Sequence, residues 1–134
     1  MSDLKNHLAP AETLAPTNQA DPATPVNGTG VDLANYDAAV VLLHVGAMTG
    51  AGGSQTFQVQ ESTDNAAFTA VAAADLDGGQ PAAITATNDS AVYEIGYRGT
   101  ARYLRVSITA KAGTSPTMVS SAVVVRGKAR KLPA

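Results

Sequence analysis

Few side chains in this chain have the type and spacing that chemistry needs. There are two histidines: His7 lies in a proline-rich N-terminal stretch and His44 inside the apolar run Ala38–Val45. Zinc takes three or four N, S or O ligands at characteristic spacing, and here cysteine is absent and no third ligand is suitably spaced. Neither histidine has an acidic residue nearby in sequence to orient it against a serine. The glycine-rich stretch 46–54 is followed by a strand-like pattern, not by the Lys-Ser/Thr pair that opens a helix in a phosphate-binding loop. Asp75-Leu76-Asp77-Gly78 lacks the continuation and the terminal glutamate of a calcium loop and reads as a turn. Asn27-Gly28-Thr29 and Asn88-Asp89-Ser90 fit a glycosylation sequon, but without a secretory signal they too read as turns. The expectation is a protein with no catalytic residues, no cofactor and no metal, hence not an enzyme.

The charged residues are more informative. All eleven acidic residues lie at or before Glu94, and eight of the nine basic residues lie at or after Arg98. Residues 1–97 therefore carry −10 and residues 98–134 carry +8. Charge sorted in this way predicts strong local fields, which favour association with other surfaces. The candidate protein-contact residues are Arg98, Arg102, Arg105, Arg126, Lys128, Arg130 and Lys131. Arginine pairs bidentately with carboxylates within or between subunits, so Glu61 and Glu94 are the internal partners to weigh against intersubunit ones. The cluster from Arg126 to Lys131 suits an acidic protein surface. Nucleic acid is not expected, because no aromatic residue is interleaved with these charges to stack on a base.

The elements that must position these charges read as β. Hydrophobic residues make up 45% of the chain, but alanine and valine supply most of them, and there are two Phe, four Tyr and no Trp. A core of that kind is thin, and oligomerisation is a common remedy. Strands are expected at Ala38–Val45, Thr56–Ser62, Phe68–Val71, Ala91–Gly96, Tyr103–Ala110 and Met118–Arg126, with further strand and turn in 82–90. Phe57, Val59 and Glu61 share one face of their strand, and Leu104, Val106 and Ile108 one face of theirs. Asp75–Pro81 reads as a turn cluster. Short strands separated by turn residues predict an all-β antiparallel sandwich, jelly-roll or Ig-like, over residues 31–126. Residues 1–30 hold four of the seven prolines and are expected to be an extended arm, either free or ordered against a neighbouring subunit. Residues 127–134 form a basic tail. There is no run of about 20 apolar residues to span a bilayer, and no secretory signal, so a cytoplasmic site of synthesis is expected.

Two segments carry a resemblance. Gly30-Val31-Asp32-Leu33 through Tyr36–Val40 and Gln60–Asp64, and then Gly96-Tyr97-Arg98-Gly99-Thr100-Ala101-Arg102-Tyr103-Leu104-Arg105-Val106, resemble a family of small β-sandwich virion proteins of tailed bacteriophages, over roughly residues 30–133. The resemblance implies a capsid decoration (cement) protein on the virion surface that binds the major capsid protein, or a head–tail or tail component. A homo-oligomer is expected, with a trimer favoured. The hairpin Phe57–Phe68 together with Ala101–Val106 also resembles discoidin-type sandwiches, which implies glycan binding as the alternative from another class.

Overall fold

The structure, a computed structural model, describes residues 3–18 and 25–133. A 3₁₀ turn at Lys5–His7 leads into ten strands: β1 (Leu8–Asn18), β2 (Val26–Asn27), β3 (Val31–Asp32), β4 (Tyr36–Val45), β5 (Ser54–Ser62), β6 (Thr69–Ala70), β7 (Leu76–Asp77), β8 (Ala91–Tyr97), β9 (Tyr103–Ala112) and β10 (Val119–Ala129). One sheet has the order β1-β10-β4-β8-β7. The other has the order β2-β9-β5-β6, with β3 also paired to β9. All pairings are antiparallel. With β2 and β3 taken as one interrupted strand and β7 as an edge addition, this is the jelly-roll order, in which the first and last strands are neighbours. The fold is an all-β sandwich.

Alternation along the strands builds the core. Val41, Leu43 and Val45 of β4 and Ala122 and Val124 of β10 face inward from the first sheet. Phe57 and Val59 of β5 and Leu104, Val106 and Ile108 of β9 meet them from the second. Met48 and Met118 fill the space near one end, where unbranched side chains adapt to irregular gaps. Each larger aliphatic side chain buried here contributes roughly 1.5–3 kcal/mol, so the core rests on many small contributions.

Three boundaries differ from the sequence expectation. The N-terminal stretch is extended, as its prolines require, but residues 8–18 belong to the sandwich: β1 pairs with β10 from Leu8 to Asn18, and Leu14 is 3% exposed. Pro10 and Pro16 are compatible with this because β1 is an edge strand, where a missing amide donor costs no ladder bond. Residues 19–24, including Pro22, lie outside the described residues. Secondly, β10 continues to Ala129, so the first three residues of the expected tail are strand. Thirdly, Leu76–Asp77 within the expected turn cluster pairs with Tyr97 and Gly96.

One contact ties β1 to the opposite sheet. The β1–β10 register shifts between Glu12 and Leu14, which turns Thr13 inward to 3% exposure. Its hydroxyl donates to Thr29 O (2.8 Å) and accepts from the Val106 amide (3.1 Å). The neighbouring Gly28 passes so close that a Cβ there would lie 2.4 Å from Val106 O and 2.5 Å from Thr13 Oγ1. Only glycine fits this crossing. On the far side of the second sheet, Gln80 acts as a side-chain strand. Its amide oxygen accepts from Val59 N, and its amide nitrogen donates to Val59 O and Val71 O.

Candidate functional site

The turn between β3 and β4, the end of β5, the β8–β9 connection and the end of β10 meet at one end of the sandwich. The topology therefore gathers Arg98, Arg102, Arg126, Lys128, Arg130 and Lys131 there, with Arg105 two residues into β9. It also brings Asp32, Asp37, Glu61, Asp75 and Asp77 to the same end, although these acids are distant in sequence.

The two sets pair. Arg102 makes a bidentate contact with Asp32, its Nε and Nη2 lying 3.0 and 2.9 Å from the two carboxylate oxygens. That hydrogen bond, together with the Ala34 amide at 2.9 Å, lowers the Asp32 carboxyl from 3.8 to about 2. Arg98 lies 3.3 Å from Asp77, and Arg130 lies 3.1 Å from Asp37. Arg126 makes no ion pair among the described residues. It donates to the carbonyls of Ala9 (3.1 Å) and Asp32 (3.0 Å), and its guanidinium lies 4.8 Å from the centroid of the Tyr36 ring. Arg105 stacks 3.9 Å from the centroid of Phe68 and donates to Gln60 Oε1 at 2.8 Å. Lys128 and Lys131 are exposed and have no ion pair among the described residues.

The charge separation expected from the sequence order is therefore reduced at this end. Folding interleaves the acidic and basic parts at one end and neutralises most of the arginines in pairs. Among the described residues neither Glu61 nor Glu94 pairs with an arginine. Glu61 faces inward and accepts a hydrogen bond from the Tyr97 hydroxyl, which in turn accepts from the Ala101 amide. Burial, and after it the Glu61 carboxylate, push the Tyr97 phenol well above its usual range. Sequence reasoning did not identify Asp32, Asp37, Tyr36 or Tyr97. Their legible signals were position, near the ends of strands, and membership of the segments that carry the resemblance.

Between these pairs lies a cleft of about 500 Å³, lined by residues 33–38, Tyr97, residues 99–102 and Arg130. It offers guanidinium donors, the Asp37 carboxylate and peptide groups. Both histidines lie apart from it: His7 and His44 are exposed, and the cross-strand neighbours of His44 are Ser121 and Val92. Among the described residues no group of three His, Cys, Asp or Glu side chains is placed to hold a metal ion, and no helix is long and apolar enough to cross a membrane. An end of this kind can dock a polar surface through charge-assisted hydrogen bonds.

No protein-family model, no curated protein and no solved structure matches this chain.

Proposed function

We propose that the protein is a non-enzymatic structural component of a tailed-phage virion, a decoration protein that binds the major capsid protein and stabilises the shell as a homo-oligomer at sites of local threefold symmetry. The observation that carries this reading is the end of β10. There Lys128 and Lys131 are exposed without an ion pair among the described residues, and Leu132 beside them is 50% exposed. Cations and an aliphatic side chain presented together at the end of a rigid strand suit an acidic protein surface with an apolar centre. Five of the seven contact candidates are engaged within their own chain, so attachment through charge falls to these two lysines. Many identical weak contacts on a shell add up through effective concentration.

The test is the copy number of the protein relative to the major capsid protein in purified particles, by quantitative mass spectrometry. A ratio of one, or a simple fraction of it, is expected. A handful of copies per particle would move the protein to the head–tail junction or tail, and absence from particles would end the virion reading.

The cleft at the charged end favours a second reading, a glycan-binding module that uses the Asp37–Arg130 and Asp32–Arg102 pairs as polar contacts. Against it, Tyr97 is buried and the Tyr36 ring is covered by Arg126, so neither presents an open stacking platform. Glycan-array binding lost in Asp37→Ala would favour this reading over the first.

A further inference from the structure

The two sheets present unlike outer faces. That of the second sheet is polar, with Thr56, Gln58, Gln60 and Thr109. The first sheet turns Val40 and Leu42 of β4 and Val123 and Val125 of β10 outward, opposite in parity to the buried Val41, Leu43, Ala122 and Val124. Val92 and Val119, which are 57% and 55% exposed, lie on this same face. Strands apolar on both sides normally have both sides covered.

Its charges are equally specific. Glu12, Val123, Leu42 and Glu94 are cross-strand partners in one row across β1, β10, β4 and β8. The apolar centre is thus flanked on each side by a glutamate, and both glutamates are exposed without an ion pair among the described residues. At about 4.8 Å per strand the two carboxylates stand roughly 14 Å apart. Two like charges around an apolar centre disfavour packing this face on a copy of itself and select an occupant with the opposite sign.

We propose that this face seats the C-terminal segment, residues 128–133, of a second copy of the chain. That segment carries the complementary groups: Lys128 and Lys131, on either side of the end of β10, and the half-exposed Leu132. It does not turn back onto its own face, because the Arg130 amide bonds Asn35 O (3.0 Å) and the Arg130 side chain bonds Asp37 at the sandwich end. An end that docks on the face of the next copy is a heterologous contact, which closes into a ring where the rotation allows. The inference concerns self-association and uses the same Lys128, Lys131 and Leu132 as the shell contact proposed above, so the two compete: a copy whose end is seated on a neighbour does not offer that end to the shell.

Sedimentation velocity of the full chain tests it. Concentration-dependent association is expected at low salt and should weaken as salt screens the charge pairs. Glu12→Gln with Glu94→Gln, or Lys128→Glu with Lys131→Glu, should each weaken association about 10-fold, the scale of two exposed ion pairs. Combining Lys128→Glu and Lys131→Glu with Glu12→Lys and Glu94→Lys should restore it. Leu42→Glu should abolish it; the surface-charge variants keep the test valid if that variant fails to fold. A monomer at all concentrations would overturn the inference, as would association indifferent to both charge pairs or swaps that fail to restore it. The particle copy number is a separate measurement, so failure of the one reading is distinguishable from failure of the other.

Discussion

Arg126 shows how much one side chain can hold at the end of a sandwich. Its guanidinium joins three parts of the chain: the Ala9 carbonyl on β1, the Asp32 carbonyl on β3 and the Tyr36 ring on β4. Charged hydrogen bonds to partly buried carbonyls contribute about 1.5–3 kcal/mol. Arg126→Ala is therefore expected to destabilise the fold by about 2–3 kcal/mol, read from urea denaturation midpoints. Arg126→Lys should recover only part of this, since an ammonium lacks the planar fork that serves two carbonyls. Asp32 supplies a pH-dependent contribution. Its carboxyl, held by Arg102 and the Ala34 amide, titrates at about 2 in the folded chain against 3.8 as a reference. A depressed carboxyl stabilises the fold above its unfolded value and loses that effect as pH falls through the folded one. The stability difference between the wild type and Asp32→Asn should thus be full at neutral pH and should shrink as pH falls from 3.8 towards 2. A difference constant across that range would show that the pair contributes nothing to stability.

At the level of elements, β1 decides whether the sandwich closes. It covers the edge of β10, buries Leu14 and carries Thr13 across to the second sheet. Burying one leucine is worth about 2–5 kcal/mol when the alternative is a cavity, and domain stabilities total only about 5–15 kcal/mol. Removing residues 1–18 should therefore abolish cooperative thermal unfolding, read by circular dichroism, instead of releasing a tether from an intact domain. A sharp transition in the truncated chain would make β1 an accessory arm. The strands differ in how legible they were. β5 and β9 alternate apolar and polar side chains, and their inward sets are those expected, Glu61 included. β1 reads from the sequence as part of an extended arm, because four of the seven prolines lie in residues 1–30 and each removes an amide donor. An edge position removes that objection, and position in the sheet is not a local property. β7 and the Gln80 clamp were hidden for the same reason: two residues and a side-chain amide form a ladder only because β8 and β5 offer unpaired groups nearby.

For the molecule as a whole, the class of fold is already written in the order of residue types. Turn residues at short intervals and apolar residues alternating in β5 and β9 leave a sandwich as the way to bury one face of each strand. Composition was a poorer guide to the core: among the described residues Ala122 is the one alanine of the buried hydrophobic set, and valine, leucine and isoleucine supply most of it. The arrangement of charge was decided only by the tertiary structure. A chain with its acids before residue 95 and most of its bases after residue 97 reads as an electrical dipole. The jelly roll nevertheless returns β10 and the β8–β9 connection to the end where β3 and β4 meet, and it converts that polarity into short pairs. Asp32 and Arg102 are 70 positions apart, and Asp37 and Arg130 are 93 apart. The row from Glu12 to Glu94 likewise exists only because β1, β10, β4 and β8 lie side by side. Contacts of such range depend on strand order and register, which arise when the sheets pair and which no local pattern of residues encodes.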